Sequence, residues 1–272
     1  MFSYDKLDSH PNLRRFAPGK YVSSHEQLCE AGVISMGVAN SQLNRYTNII
    51  PFDRTLAKCS LGYVNASLIQ FPEAEYIVAS GPMAKYSAYY PETRPAFWTC
   101  VAENNATVMV ALANFQKDSS ECADYLEPGA KYGDWQVQIT TKEVDENFVK
   151  RGIILRNEKL SSERHLVHFQ FIDWPNYSIA NPEELSKLVQ SVDHMYDRLG
   201  GRILVHCSGG VGRSGTFVAA HRTYRCRPPP QDVERVVFET VVKLREDRHP
   251  WMVEGVNQYN LIFAVLKNLF LN

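Results

Sequence analysis

The sequence predicts an α/β fold, and three observations support this prediction. Residues 203–205 form an apolar, β-branched run that leads into a glycine-rich turn, and residues 216–220 then have the composition of a helix. Residues 107–112 are almost continuously apolar, as expected of a central strand. A helix over residues 182–199 is predicted by a proline at its start and by two glycines after its end.

Further strands are predicted on both sides of the central run. Residues 63–69 and 76–79 contain short apolar runs with turn residues between them. Apolar and polar residues alternate over 135–140, and this pattern continues through 152–156 and 165–171. We therefore expect an antiparallel section of sheet after residue 135.

Two more segments carry helix signals. Residues 24–28 can begin a helix near the N-terminus, with Ser23 or Ser24 as its cap. Three prolines at 228–230 separate the helix after the glycine-rich turn from another helix, which we expect to start near Asp232.

Composition and charge argue against several classes of protein. Hydrophobic residues make up 44% and charged residues 22% of the 272 residues, as in an ordinary globular domain. The net charge is -1 and no basic block is present, which argues against a general nucleic-acid binder. No apolar stretch has the length of a membrane span, and the N-terminus lacks a signal-peptide core. We therefore expect a protein that neither spans a membrane nor binds nucleic acid. We also expect it to be a monomer.

The cysteines and histidines do not suggest a metal site. The six cysteines, at positions 29, 59, 100, 122, 207 and 226, form no close CxxC pair. His165 and His168 are three residues apart on a predicted strand, so they face opposite sides and we interpret them as structural. We predict no metal and no cofactor. A reactive cysteine needs a reducing compartment, so we expect a cytoplasmic protein, and delivery into another cell stays compatible with the sequence.

The strongest chemical signal is His-Cys-Ser-Gly-Gly-Val-Gly-Arg-Ser-Gly at residues 206–215, which we call the signature loop. Between a strand and a helix, its backbone N–H groups converge at a helix N-terminus and create an anion site. The same environment lowers the pKa of the Cys207 thiol from about 8.5 towards roughly 3.5–7.5. The predicted phosphate ligands are Ser208, Gly209, Gly210, Val211, Gly212 and Arg213.

Three side chains of the signature loop indicate phosphoryl chemistry at Cys207. Arg213 offers a planar fork that matches two phosphoryl oxygens. Ser214 places a hydroxyl beside the sulfur, where it stabilises the thiolate as a leaving group. His206 is expected to orient the loop by hydrogen bonds. The alternatives are an inert buried cysteine in an ordinary βα turn, or a nucleotide loop, although neither the P-loop lysine pattern nor GxGxxG is present.

The signature loop resembles the active-site motif of the cysteine-dependent protein tyrosine phosphatases, in which His-Cys is followed by five residues, Arg, Ser or Thr, and Gly. Similar segments extend over about residues 40–272. Residues 44–53 resemble the family's phosphotyrosine-recognition loop, and residues 62–67 the strand motif that follows it. The other similar segments are 76–82 with Phe97-Trp98, an acid loop at 173–176 and a glutamine loop at 252–259.

This resemblance implies a single-domain tyrosine phosphatase fold with a twisted, mixed central sheet flanked by helices. Residues 41–272 are expected to form the catalytic domain, and residues 1–40 a helical segment packed on it. The resemblance also implies that Cys207 attacks phosphorus while Arg213 stabilises the transition state. The expected partners are proteins that contain phosphotyrosine.

Two residues of the recognition loop bear on the substrate. In the family, a tyrosine at the position of Tyr46 walls the pocket and stacks on the phenyl ring of the substrate. A pocket of that depth excludes phosphoserine. The position of Asn48 normally carries Asp, which holds the substrate backbone, and an amide still forms hydrogen bonds but brings no charge.

The acid loop departs from the family pattern at the residue that matters for rate. The family motif Trp-Pro-Asp is Trp-Pro-Asn here, so Asn176 stands where an aspartate protonates the leaving tyrosyl oxygen. An amide cannot supply this proton. General acid catalysis is worth about 10²–10⁴-fold, or about 3–5 kcal/mol of barrier with a poor leaving group such as phenolate. Asp173, three residues earlier, is a candidate substitute that precedes the Trp hinge.

Two other positions also differ from the family. Glu254 aligns with a glutamine that positions water, and Gln258 matches the second glutamine of that loop. Gln116 aligns with the glutamate that braces the signature arginine. The intact signature loop favours a working but slow phosphatase, in which Asp173 or Glu254, or water placed by Asn176, completes the reaction. The three departures, at Asn176, Gln116 and Glu254, favour a phosphotyrosine-binding protein that captures its ligands.

Overall fold

The structure is a computed structural model that describes residues 2–7, 9–11, 33–85, 91–115, 120–145, 148–174 and 178–271. The predicted helix at residues 24–28 lies outside these ranges, as do Gln116 and Asn176.

An eight-stranded mixed sheet forms the centre of the molecule. Its strand order is β1-β2-β8-β3-β7-β6-β5-β4. Strands β2, β8, β3 and β7 are parallel to one another, and the remaining neighbours are antiparallel. The strands are β1 Ala66–Gln70, β2 Glu75–Ala79, β3 Ala106–Ala111, β4 Lys131–Tyr132, β5 Trp135–Val144, β6 Phe148–Asn157, β7 Ser162–Phe171 and β8 Arg202–His206.

Helices flank this sheet, which confirms the predicted α/β class. In the described part of the chain they are α1 Ser35–Ala39, α2 Arg94–Glu103, α3 Pro182–Leu199, α4 Gly212–Cys226, α5 Val233–Asp247 and α6 Gly255–Leu271. Short 3-10 turns lie at Tyr4–Lys6, Ser41–Leu43, Asp53–Thr55 and Pro230–Asp232.

Side-chain alternation along the central strands builds a separate apolar core on each face of the sheet. On β3, Val108 and Val110 pack with the helices α3 to α6. Met109, between them, packs with α2 and the β4–β5 side. Because successive side chains of a strand point to opposite faces, a strand covered on both faces is apolar throughout. The central position predicted for residues 107–112 is therefore confirmed.

The predicted helix over residues 182–199 is also confirmed, at both ends. Its N-cap is Asn181, whose side chain accepts hydrogen bonds from the N–H groups of Glu183 and Glu184. Gly200 follows the helix with a positive φ of 62°, which a residue without a Cβ adopts at little cost.

Residues 2–7 pack against the C-terminal helices. The rings of Phe2 and Phe238 are 5.5 Å apart, and Leu7 is fully buried. The Tyr4 hydroxyl accepts a hydrogen bond of 2.9 Å from the N–H of Gly255, the first residue of α6. This segment therefore contacts the glutamine loop.

Within the described residues, every helix falls short of the length and apolar character that a membrane crossing requires.

Candidate active site

The signature loop connects β8 to α4 at the carboxyl edge of the parallel strands. Because β8 lies between β2 and β3, both sides of the strand are fixed and the loop has a rigid base. Ligands of α/β sheets bind at this edge. A pocket of about 180 Å³ opens above the loop, and its walls are Tyr46, Asn48, Ile49, Cys207, Ser208, Gly209, Val211, Gly212, Arg213, Trp251, Glu254 and Gln258.

Cys207 lies at the floor of this pocket and is 3% exposed. Its Sγ accepts a hydrogen bond of 3.2 Å from the N–H of Gly210. Burial raises the pKa of the thiol, but the charge of Arg213 and the hydrogen-bonding groups of Ser214 and Gly210 outweigh it, so that the pKa is lowered. The pocket therefore favours the nucleophilic thiolate.

The turn of the loop depends on Gly210, whose φ is 72°. A Cβ at this position would collide with the Ala79 carbonyl of the neighbouring strand β2. Hydrogen bonds fix the flanking carbonyls: the Gly81 N–H donates to Ser208 at 2.8 Å, and the Ser80 hydroxyl donates to Gly209 at 2.9 Å. The carbonyls consequently point away from the pocket, towards β2.

Arg213, on the first turn of α4, is held from two sides. Its Nη1 donates to Glu121 Oε1 at 2.5 Å and to the carbonyl of Trp174 at 3.0 Å. Burial lowers the pKa of the guanidinium, while Cys207 and Glu121 raise it by a larger amount. Sequence analysis aligned Gln116 with the glutamate that braces this arginine in the family, and Gln116 lies outside the described residues. In the structure, Glu121 supplies a carboxylate partner for Arg213.

A second guanidinium lies behind the loop, and sequence analysis did not identify it. Arg248 is fully buried, and burial lowers its pKa to about 10. Its Nη2 donates to Asn65 Oδ1 at 2.6 Å and reaches the Gly209 carbonyl at 3.4 Å, while its Nε donates to Gly210 at 3.3 Å. Arg248 therefore holds the outward-facing carbonyls of the turn.

The hydroxyl of Ser214 is buried next to the sulfur. Together with the backbone N–H of the same residue, it contributes to the lowered pKa of Cys207. It makes no hydrogen bond of regular geometry with any described residue. A buried hydroxyl without a regular partner is available to a group that changes charge, such as the sulfur.

His206 is buried beneath the loop, with both ring nitrogens in hydrogen bonds. Its Nδ1 lies 3.1 Å from the carbonyl of Cys207, and its Nε2 lies 2.6 Å from the hydroxyl of Tyr125. Burial lowers the pKa of His206 to about 4, so the ring is neutral at pH 7. These contacts fit the orienting role expected from the sequence.

Tyr46 and Asn48 also line the pocket. Tyr46 is 38% exposed, and its hydroxyl lies 2.8 Å from Ser208 Oγ. The backbone carbonyl of Asn48 accepts a hydrogen bond of 3.1 Å from His249 Nε2. The side chain of Asn48 is thus presented on a wall whose backbone is fixed.

The acid loop contains two of the residues considered as proton donors, Asp173 and Asn176, and neither is seen in the pocket wall of the described structure. Asp173 is exposed and is not part of the pocket wall. Its neighbour Trp174 is buried and bound to Arg213 through its carbonyl. Asn176 lies outside the described residues.

Glu254 and Gln258 both line the pocket. The Glu254 N–H donates to Gln258 Oε1 at 2.9 Å. Their side-chain ends stand against Gly212, at 3.1 Å for Glu254 and 3.0 Å for Gln258 from where a Cβ would be. Gly212 therefore leaves room for both. Trp251, which sequence analysis did not consider, forms the adjacent wall.

The described residues contain no group of three or more His, Cys, Asp or Glu side chains arranged to hold a metal ion.

A thiol with a lowered pKa lies next to a braced arginine, on a βα loop whose Gly210 N–H donates to the sulfur. This arrangement is typical of enzymes with a cysteine nucleophile. The family model of the protein-tyrosine phosphatases matches residues 40–268. The chain belongs to the protein-tyrosine phosphatase family, as the resemblance of the signature loop predicted.

Curated relatives agree with this assignment. The chain is 32% identical over 243 residues to the receptor-type tyrosine-protein phosphatase C of Homo sapiens, covering 84% of this chain and 18% of that protein. It is 29% identical over 260 residues to the protein-tyrosine-phosphatase PTP1 of Arabidopsis thaliana, covering 86% and 72%. Against tyrosine-protein phosphatase 1 of Schizosaccharomyces pombe it is 29% identical over 264 residues, covering 87% and 46%. The chain thus spans less than half of two of these three relatives.

Proposed function

We propose that this protein hydrolyses phosphotyrosine in proteins through a cysteinyl-phosphate intermediate, and that proton donation limits its first step. The observation that carries the proposal is the buried Cys207, which accepts the Gly210 N–H and has a lowered pKa, next to the braced Arg213. A thiolate in that setting is a nucleophile at neutral pH.

The reaction has two steps. In the first, Cys207 Sγ attacks phosphorus in line, the bond from phosphorus to the tyrosyl oxygen breaks, and that oxygen takes a proton as it leaves. In the second, water attacks the cysteinyl phosphate and the sulfur leaves as thiolate. The Ser214 hydroxyl next to the sulfur stabilises it as it leaves. Arg213 and the loop N–H groups hold the equatorial oxygens through both steps.

Tyr46 supports a preference for phosphotyrosine over phosphoserine. Its ring stands between solvent and the loop, tied to Ser208 by the hydroxyl contact of 2.8 Å. A phenyl ring that enters the pocket stacks on such a wall, whereas the short serine side chain leaves phosphorus above the sulfur. Asn48 and Trp251 are proposed to contact the residues beside the phosphotyrosine.

The leaving group sets the rate in this proposal. Phenolate has a conjugate acid with a pKa of about 10, so it leaves slowly without a proton. Asn176 cannot supply one, and Asp173 is exposed outside the pocket wall. Glu254 does line the pocket, and we propose it as the replacement acid and later as the base for the attacking water.

The second candidate function is phosphotyrosine binding with negligible turnover. It is favoured by Asn176 at the position where the family has an acid. In that case Cys207, Arg213 and the loop N–H groups bind the phosphotyrosine, but the bond from phosphorus to the tyrosyl oxygen is not cleaved.

We further propose phosphotyrosine-containing proteins as partners of a monomer in a reducing compartment such as the cytoplasm. The proposal is supported by the described cysteines, which are free thiols at positions 59, 100, 122, 207 and 226.

The experiment compares two substrates. An aryl phosphate with an acidic leaving group barely needs protonation, whereas a phosphotyrosyl peptide does. We expect rapid turnover of the first, slow turnover of the second, and loss of both in Cys207→Ser. If neither is hydrolysed and the peptide still binds, the protein is a binding module.

A further inference from the structure

A chain of hydrogen bonds runs from the outer part of the sheet to the nucleophile. Arg151 Nη1, on β6, lies 3.5 Å from His168 Nδ1 on the adjacent strand β7. His168 Nε2 lies 2.8 Å from the Tyr125 hydroxyl, which lies 2.6 Å from His206 Nε2. His206 Nδ1 lies 3.1 Å from the Cys207 carbonyl. Four contacts therefore connect a cation to the nucleophilic residue.

The donors in this chain can be assigned from its two ends. A carbonyl only accepts, so His206 Nδ1 carries the proton that bonds to Cys207. A neutral ring then has an acceptor at Nε2, and Tyr125 donates to it. At the other end a guanidinium only donates, so His168 Nδ1 is the acceptor and its Nε2–H donates to Tyr125. In each hydrogen bond, the donor is consequently on the Arg151 side and the acceptor on the Cys207 side.

This assignment requires both rings to be neutral, and their surroundings support that. His206 and His168 are fully buried, and burial lowers the pKa of each below its usual value. Tyr125 is fully buried too, and burial raises its pKa, so the phenol keeps its proton. The hydroxyl therefore donates to one ring and accepts from the other.

Arg151 carries the only formal charge among the four side chains of this hydrogen-bond chain. It pairs in register with His168 across the β6–β7 ladder, which fixes the two backbones next to each other. Within the described residues it makes no salt bridge, although Asp124 and Tyr125 face it. Hydrogen-bonded groups polarise one another, so a cation at the donor end strengthens the bonds after it.

We propose that Arg151 is a positioning residue for the nucleophile: through His168 and Tyr125 it holds His206 in the tautomer that donates to the Cys207 carbonyl. This inference rests on the proposed role of Cys207 and adds a residue that does not touch the substrate. The polarised N–H of His206 places positive potential below the sulfur, where it stabilises the thiolate.

Other groups also act on Cys207 and must stay constant in the test. Arg213 faces it from α4, Arg248 from the segment after α5, and Cys122 from the segment before β4. Glu254 faces the pocket from the start of α6. None of these residues is changed below.

The test measures carboxymethylation of Cys207 by iodoacetate against pH, followed by mass spectrometry of the Cys207 peptide. This readout needs no turnover, so it is independent of whether the protein proves to be a phosphatase. Arg151→Met removes the charge at similar length. Lys150→Met is the matched control. It removes a cation from the preceding position of β6, where the side chain pairs with Glu143 at 3.2 Å.

We expect Arg151→Met to raise the midpoint pH of Cys207 carboxymethylation by about half a unit. At pH values below the midpoint, this is about a threefold loss of the carboxymethylation rate. Lys150→Met should leave the midpoint unchanged. An unchanged midpoint in Arg151→Met, or an equal shift in both variants, overturns the proposal.

A double-mutant cycle with Tyr125→Phe locates the effect, because this variant interrupts the chain and keeps the ring. In that background Arg151→Met should cause no further shift. Additive shifts would show that Arg151 acts through space, which also overturns the proposal. Melting temperatures of all variants identify any that fail to fold. If Tyr125→Phe fails to fold, the Arg151→Met and Lys150→Met pair still overturns the proposal when the midpoint does not shift or shifts equally in both.

Discussion

Arg213 and Glu121 form a buried ion pair, with Nη1 and Oε1 2.5 Å apart. The side chains are 7% and 8% exposed, so neither charge is well hydrated. The pair links the first turn of α4 to the segment that precedes β4. It fixes the guanidinium over the pocket before any phosphate arrives.

Glu121→Gln should therefore weaken both the fold and the site. Removing one partner of a buried pair leaves the other charge uncompensated, and we expect the free energy of unfolding to fall by about 3 kcal/mol. We expect kcat/KM for an activated aryl phosphate to fall up to about 100-fold, because Arg213 is no longer held in place. Urea unfolding and steady-state kinetics measure the two effects.

Glu127→Gln is the control for this change, since Glu127 is 55% exposed and pairs with Arg94 at 3.0 Å. Exposed pairs contribute little, so stability and rate should both stay near those of the parent. Equal effects of the two substitutions would contradict the bracing role of Glu121.

Asn176→Asp should restore the proton donor. We expect turnover of a phosphotyrosyl peptide to rise by about 10²-fold or more, while turnover of an aryl phosphate with an acidic leaving group changes little. The ratio of the two kcat values is the measurement. A ratio that does not move would contradict the proposal that proton donation limits the first step, because Glu254 would then already protonate the leaving group efficiently.

Tyr46→Ala should lower the discrimination between phosphotyrosine and phosphoserine peptides. The ring forms a pocket wall, so its loss should raise KM for the phosphotyrosyl peptide by about tenfold. Tyr46→Phe keeps the ring and removes only the contact with Ser208, so it should retain most of the preference. Equal KM values in Tyr46→Phe and Tyr46→Ala would contradict a stacking role.

Gly210→Ala should disrupt the signature loop. A Cβ at Gly210 meets the Ala79 carbonyl, and φ is 72°. Gly62→Ala is the matched control, because φ is 103° there but no atom lies within 4 Å of the added Cβ. We expect the control to lose about 1 kcal/mol of stability from backbone strain alone.

Gly210→Ala should lose more stability than Gly62→Ala. It should also lose the affinity for inorganic tungstate, which calorimetry measures. Retention of tungstate binding would show that the turn tolerates a side chain.

The sequence was sufficient to predict the signature loop and the sheet that carries it. Strand, turn and helix are contiguous there, and the chemistry lies within ten residues. The partners of this loop were harder to predict. Glu121 is 92 positions from Arg213, and the pairing depends on how two separate segments pack. Arg213 could be predicted from the local motif, whereas its partner Glu121 could be identified only from the tertiary structure.

The same reason explains Arg248 and the chain through Tyr125. Arg248 is a basic residue that directly follows the helix α5, where exposure is the usual outcome. Its burial follows from the carbonyls of Gly209 and Gly210, which need donors once the loop turns its N–H groups towards the pocket. Local sequence patterns do not reveal a requirement that arises only after folding.

The most direct test of the whole account is the pH dependence of Cys207 alkylation by iodoacetate, with and without inorganic tungstate. Because the folded pocket lowers the pKa of Cys207, the thiolate should persist as pH falls below about 8.5, the value of a free thiol. We predict rapid alkylation at pH 6.5 and protection by tungstate. A midpoint near that of a free thiol, with no protection by the oxyanion, would contradict the account.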